Sequence, residues 1–144
     1  MITGKKDNLS NFYETLKGRG IRIFYFVNAP VHTPYVKDAA QAIMEDVDVG
    51  KIQIPEIRLI ANSSAEFLDT PEQLGIEMYS HLIKPVLWRQ TISRLAENGI
   101  ERYVVIGPDK KAIMGRLIKE TDPMAKVLTC NSAESLERLV DMMN

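Results

Sequence analysis

The chain has 144 residues, of which 45% are hydrophobic and 26% charged, a composition that suits a globular protein and excludes a disordered or fibrous one. Its 18 Lys and Arg residues nearly balance 19 Asp and Glu residues, so neither nucleic acid nor an anionic membrane is an expected partner. One cysteine and two histidines exclude an internal disulfide and disfavour a metal centre, and without an apolar leader or membrane span we expect a cytoplasmic protein.

The first half of the chain contains alternating helix and strand signals. Apolar residues at helical spacing predict a helix from Leu9 to Leu16, and the apolar residues 21–27 predict a buried strand after it. A second apolar stripe predicts a helix over residues 36–47. Residues 57–61 predict a short strand that ends at the polar turn 62–64.

The second half continues the same alternation. Thr70, Pro71 and Gln73 have the pattern of a capped helix start, and Pro85 is expected to end or kink that helix. Further elements are predicted as a helix over 88–97, a strand over 103–106, a helix over 113–118, a strand over 126–129 and a terminal helix capped at 131 or 132.

This alternation predicts an α/β protein with a largely parallel sheet. The strands are few and short, and only a stub precedes the first helix. We therefore expect that a complete doubly wound sheet requires further residues, which this sequence does not contain.

His32 is the strongest chemical candidate. It follows a predicted buried strand, and the carboxyl ends of such strands are where α/β folds place ligands and catalytic groups. An imidazole there can serve as general base for a hydroxyl or thiol nucleophile. The alternative interpretation is a histidine that only caps its turn or the following helix.

Other catalytic signals are weak. No serine lies in a Gly-x-Ser-x-Gly elbow, and the serines are interpreted as caps, turns or helix surface. Cys130 is expected to be a small buried hydrophobe rather than a nucleophile. Residues 107–111 have amides and lysines that can meet a phosphate, but a simple turn explains them equally well. Carboxylates such as Glu45 and Asp46 are expected to be solvated.

An ordered series of motifs resembles the C-terminal half of malonyl-CoA:acyl carrier protein transacylases and of the acyltransferase domains of fatty acid and polyketide synthases. The motifs are Ile2-Thr3-Gly4, similar to Val-Ile-Ser-Gly; Ala29-Pro30-Val31-His32-Thr33-Pro34-Tyr35-Val36, similar to Pro-Phe-His-Ser-Pro-Leu-Met; Ile54-Pro55 with Leu59-Ile60-Ala61-Asn62, similar to Pro-x-x-Pro-Val-x-x-Asn; Leu82-x-x-Pro85-Val86-x-Trp88, similar to Leu-x-x-Pro-Val-x-Trp; and Gly99-Ile100 with Val105-Ile106-Gly107-Pro108, similar to Gly-Val-x-x-Phe-x-Glu-x-Gly-Pro. Their order and spacing agree over nearly the whole chain.

The resemblance implies an α/β fold that is the C-terminal part of the acyltransferase (hydrolase-like) fold with the tail of its ferredoxin-like subdomain. Residues 1–28 would be the remnant of the ferredoxin-like subdomain and residues 29–144 the part of the large subdomain. His32 falls on the family's catalytic histidine, and the backbone carbonyl of His81 would orient it. Val31 and Asn62 would contribute to substrate binding.

The family's chemistry implies a partner for this chain. A serine in Gly-His-Ser-x-Gly takes the acyl group from coenzyme A and passes it to the phosphopantetheine thiol of acyl carrier protein, so these thioesters are substrates and no bound cofactor is implied. The serine, an oxyanion-hole glutamine and a carboxylate-binding arginine all precede the region that this chain resembles. Alone, the chain is therefore expected not to transfer acyl groups.

The sequence also departs from the family pattern. His81 replaces a glutamine, Val105 a glutamate and Asp109 a glycine, and Val31 stands where phenylalanine or serine helps to select the acyl chain. The acyl preference therefore stays open.

Two functions follow from this pattern. The first is the C-terminal half of a transacylase-type acyltransferase, which pairs with a serine-bearing chain or associates with itself. The second is a non-catalytic relative that binds carrier protein, an acyl-CoA or another protein. In the first case, open sheet edges and uncovered apolar surface favour association with a second chain or with itself. In the second case, a stable monomer or symmetric homodimer is expected.

Overall fold

The computed structural model describes residues 4–21, 29–107 and 113–143. The predicted strand over 21–27, apart from its first residue, the residues Ile2 and Thr3, and the turn containing Asp109 lie outside these ranges. The chain divides into two compact units, one made of Met1–Ser63 with Phe67–Val86 and the other of Ser64–Glu66 with Leu87–Asn144. The subdomain boundary after residue 28 stays a prediction.

The first unit is mainly helical. Its elements are α1 (Lys6–Gly18), a 3₁₀ turn (Pro34–Val36), α2 (Lys37–Glu45), a second 3₁₀ turn (Val49–Lys51), β1 (Leu59–Ile60), β2 (Phe67–Leu68) and α3 (Pro71–Ile83). The helices predicted in this unit are present. The strand predicted over 57–61 is shorter than expected, because only Leu59 and Ile60 pair with another strand. Their antiparallel partner, β2, was not predicted from the sequence pattern.

The start of α3 has the predicted cap. The Thr70 hydroxyl accepts from the Gln73 amide at 3.2 Å, and the Gln73 side chain accepts from the Thr70 amide at 3.1 Å. This reciprocal pair satisfies amides that have no partner within the helix. The backbone amide of Glu72 and then the Thr70 hydroxyl hold the pKa of the Glu72 carboxyl below its ordinary value.

Thr70→Ala is expected to lower the free energy of unfolding by about 1 kcal/mol, because the amide of Gln73 loses its acceptor. Urea denaturation followed by circular dichroism measures the change. Thr15→Ala is the control, since that exposed hydroxyl only bonds back to the carbonyl of Asn11 within α1. Equal stability of the Thr70 variant and the wild-type chain would contradict a stabilising role for this cap.

The second unit is a helix followed by a β-α-β-α series. Its elements are α4 (Trp88–Glu97), β3 (Arg102–Ile106), α5 (Ile113–Thr121), β4 (Lys126–Cys130) and α6 (Ala133–Met143). All five were predicted, and β3 pairs with β4 in parallel. In the described part of the chain the strands form this parallel pair and the antiparallel β1–β2 pair, which is fewer strands than a complete doubly wound sheet contains.

A small apolar core holds the second unit together. Ile92 of α4, Tyr103 of β3, Ile118 of α5 and Ala125 are buried against one another, and Trp88 packs on this cluster. The Tyr103 hydroxyl donates to the Ile100 carbonyl at 3.2 Å. Burial, and secondarily the charge of Asp122, raises the pKa of the Tyr103 hydroxyl above its ordinary value.

Candidate functional site

His32 lies in a tight turn with an unusual backbone conformation. Its φ angle is +61°, in the left-handed region that residues other than glycine adopt infrequently. The backbone amide of His32 donates to the Leu82 carbonyl at the end of α3, at 2.7 Å. This long-range bond ties the turn to α3 and offsets part of the cost of the conformation.

The imidazole of His32 is oriented by the same helix end. Its Nδ1 lies 2.6 Å from the backbone carbonyl oxygen of His81. A carbonyl can only accept, so Nδ1 carries the proton. In the neutral ring the Nε2 atom then has the free lone pair, which is the state that a general base requires.

Proline explains why these helix carbonyls are available. In an α-helix the carbonyl of His81 would accept from the amide of residue 85, but that residue is Pro85 and has no N–H group. The helix ends at Ile83, with the Lys84 amide bonded to Ser80. The last carbonyls of α3 therefore lack helical partners, and the His32 turn supplies their donors.

The residues beside His32 close the turn. The Thr33 hydroxyl donates to the Pro30 carbonyl at 2.5 Å and accepts from the Tyr35 amide at 3.4 Å. Thr33 is buried, whereas Val31 is exposed. The turn thus holds His32 through backbone contacts and leaves the Val31 side chain exposed.

The His81 side chain lies against His32 although only its carbonyl bonds to that residue. The two ring centroids are 4.7 Å apart, with the rings inclined at 65° in an edge-to-face arrangement. The His81 Nδ1 atom is buried and has no hydrogen-bond partner in the described residues. His81 stands where the family that this sequence resembles has a glutamine, so this chain has a second imidazole beside the first.

His81→Gln is expected to leave the hydrogen bond to His32 in place, because the acceptor is a backbone atom. With only two histidines in the chain, the remaining imidazole signals of the variant belong to His32. Two-dimensional ¹⁵N NMR of the ring reports which nitrogen carries the proton. Protonation at Nε2 in the neutral ring of the variant would contradict the orienting role of the carbonyl.

Asn62 lies in a turn that a buried carboxylate holds. Glu77 of α3 is only 9% exposed. Its carboxylate accepts from the backbone N–H of Asn62 at 2.7 Å, from the backbone N–H of Ser63 at 3.1 Å and from the Ser63 hydroxyl at 2.5 Å. Because three donors surround this carboxylate, the turn after β1 is fixed to α3.

The predicted site residues fall into two groups, and α3 holds both of them through hydrogen bonds. His32 and His81 are in contact, whereas no hydrogen bond in the described residues connects Asn62 with His32. Glu77 and His81 are four residues apart on α3, one helical turn, so α3 supports both the His32 turn and the Asn62 turn.

Glu77 was missed by the sequence interpretation, which grouped Ser80 with the other serines as caps, turns or helix surface. Both are buried, as is Gly75 on the same helix. Ser80, three residues after Glu77 and therefore on the same face of α3, was the available signal, because a small residue lets a neighbouring segment approach that face. Cys130 is buried as expected.

The described ranges contain neither a helix long and apolar enough to cross a membrane nor a group of three or more potential metal ligands.

Known proteins with similar sequences and folds are transacylases. The malonyl CoA-acyl carrier protein transacylase of Bacillus subtilis (strain 168) is 24% identical over 117 residues, which cover 81% of this chain and 36% of that protein. The corresponding enzyme of Coxiella burnetii superposes with a TM-score of 0.77 at 25% identity, covering 94% of this chain and 43% of that one. A malonyl-transacylase solved in complex with a type II PKS acyl-carrier protein superposes with a TM-score of 0.81 at 20% identity, covering 96% and 45%.

No protein-family profile matches the chain. The chain spans 31 to 37% of the curated relatives' length and less than half of the length of the solved ones. Its fold is that of the C-terminal half of malonyl-CoA:acyl carrier protein transacylases, as the resemblance implied.

Proposed function

Because this chain has the fold of the C-terminal half of malonyl-CoA:acyl carrier protein transacylases, we propose that it supplies the general base of an acyltransferase of that type. His32 is the base, and a serine from a second polypeptide is the nucleophile. The observation that carries the proposal is the 2.6 Å bond from His32 Nδ1 to the His81 carbonyl, which leaves Nε2 able to accept a proton.

The proposed reaction has two acyl transfers. His32 Nε2 accepts the serine proton as the hydroxyl oxygen bonds to the thioester carbonyl carbon. It then donates this proton to the sulfur as the carbon–sulfur bond breaks, so that coenzyme A leaves as its thiol. Nε2 then accepts the proton of the phosphopantetheine thiol as the thiol sulfur attacks the acyl-serine carbonyl carbon. It donates this proton to the serine oxygen as the ester bond breaks, which regenerates the serine hydroxyl and the neutral imidazole. Acyl carrier protein is the proposed acceptor, in line with the relative solved in complex with one.

A transfer assay tests the proposal with a fusion protein. In this fusion the N-terminal part of the Bacillus subtilis transacylase, up to its matched segment, is followed by this chain. Holo carrier protein is incubated with malonyl-CoA and either the fusion or the isolated chain, and its intact mass is measured. The fusion is expected to add a malonyl group, and the isolated chain to add none above an enzyme-free control.

Two results would count against this function. Loading by the isolated chain would mean that a nucleophile exists within these 144 residues. A folded fusion that binds carrier protein or acyl-CoA but never transfers would favour the non-catalytic binding module instead.

A further inference from the structure

The two histidine rings form a pair that the proposed reaction uses only in part. Their centroids are 4.7 Å apart, and the sequence contains no other histidine. The proposed reaction needs the His32 ring and the backbone carbonyl of His81. The His81 imidazole therefore has no role in that reaction, although it lies in direct contact with the base.

His32 has the hydrogen-bonding pattern of a metal-binding histidine. A ligating imidazole usually donates its other ring N–H to a carbonyl or a carboxylate, which fixes the tautomer and the ring orientation. The Nδ1 atom of His32 donates in this way to the His81 carbonyl oxygen, at 2.6 Å. The lone pair of Nε2 is then available to an ion as well as to a proton.

The His81 ring has a nitrogen that lacks a partner. Its Nδ1 atom is buried, and the described residues supply no hydrogen bond to it. A buried polar nitrogen without a partner is unfavourable, whereas coordination of an ion satisfies its lone pair. The pair thus combines one oriented nitrogen with one unsatisfied nitrogen.

The separation of the rings fits a shared ion. Zn²⁺ lies about 2.0–2.1 Å from imidazole nitrogens in tetrahedral geometry, which places the centroids of two rings on one ion about 5 Å apart. The observed separation is 4.7 Å. We propose that His32 Nε2 and His81 Nδ1 bind a divalent transition-metal ion of the zinc class. Neutral imidazole suits such ions, whereas Mg²⁺ prefers oxygen ligands.

A site of this kind differs from a structural metal centre. It has two protein ligands, in keeping with the lack of any group of three or more potential ligands in the described ranges, so water completes the coordination. The bound ion occupies the Nε2 lone pair that the proposed base requires, and metal binding and base catalysis therefore exclude each other. The site also depends on histidine at position 81, because the side chain of the family's glutamine has no imidazole nitrogen.

Zinc titration of the isolated chain tests the site, with isothermal titration calorimetry and two-dimensional ¹⁵N NMR of the rings as readouts. One ion per chain is expected to bind and to shift the resonances of His32 Nε2 and His81 Nδ1, while His32 Nδ1 keeps its proton. Mg²⁺ is expected to shift neither ring. His81→Gln and His32→Asn are each expected to weaken Zn²⁺ binding on the order of 100-fold, because the remaining ring has lost its chelating neighbour.

Cys130→Ser is the matched control. This thiol is the chain's only cysteine side chain and is buried in the second unit, so the variant is expected to keep the wild-type Zn²⁺ affinity. Loss of binding in that variant, or wild-type affinity in either histidine variant, would overturn the site.

A readout on the unaltered chain keeps the inference testable even if a variant loses its fold, which circular dichroism reveals. Ring resonances of the wild-type chain that stay unmoved by Zn²⁺ overturn the site without any substitution. Zinc binding is measured without malonyl transfer, so a failed titration leaves the proposed function standing, and an inactive fusion leaves the metal site standing.

Discussion

Replacing His32 with alanine in the fusion is expected to lower the rate of malonyl transfer on the order of 10³-fold or more, the scale of losing a general base that acts with a nucleophile. The serine would then have no group to accept its proton. Single-turnover mass spectrometry of the carrier protein measures the loss. A variant that keeps the wild-type rate would show that His32 is not the base.

A second variant separates chemistry from conformation. The positive φ of His32 strains alanine, whereas asparagine adopts this region more readily. His32→Asn is therefore expected to be equally inactive while preserving the turn. Exposed Met124→Ala serves as the control that should keep the wild-type rate. Recovery of activity in the asparagine variant would attribute the alanine effect to a distorted turn.

Replacing Glu77 with alanine is expected to lower the free energy of unfolding by about 2–3 kcal/mol, because two backbone amides and the Ser63 hydroxyl lose a charged acceptor. Glu77→Gln should lower the free energy of unfolding by less, about 1 kcal/mol. The glutamine carbonyl oxygen still accepts, and its amide NH₂ group can donate to the Ser63 hydroxyl. Urea denaturation followed by circular dichroism distinguishes the two.

An exposed glutamate provides the control for Glu77. Glu137→Ala on α6 removes a carboxylate from the surface and is expected to change stability by less than about 0.5 kcal/mol. Equal effects of the alanine substitutions at 77 and 137 would mean that the Glu77 bonds contribute nothing net. A loss for Glu77→Gln as large as for alanine would show that the full charge is required.

Features set by neighbouring residues were predictable from the sequence. The capping pair of Thr70 and Gln73 fixes the start of α3 locally, and Pro85 removes the amide that would continue it. The β3-α5-β4 series was equally predictable, because each element has its own apolar periodicity. The contact of His32 with the His81 carbonyl was expected from the resemblance and not from spacing.

Features set by distant residues were not predictable. The positive φ of His32 depends on the Leu82 carbonyl, 50 residues further along the chain. Glu77 is buried because donors at Asn62 and Ser63, 15 and 14 residues earlier, surround it. A two-residue strand such as β2 is too short to produce a periodic pattern. In each case the deciding interaction is long-range, so local propensity has no information about it.

Trp88 packs on the core of the second unit and therefore gives that unit a spectroscopic signal of its own. It is the chain's single tryptophan, so tryptophan fluorescence excited apart from the tyrosines reports the surroundings of that core. Both histidines belong to the first unit, and their ring resonances report there. Melting curves recorded from the tryptophan fluorescence and from the histidine ring resonances therefore reveal, without any label, whether the two units unfold together or one after the other.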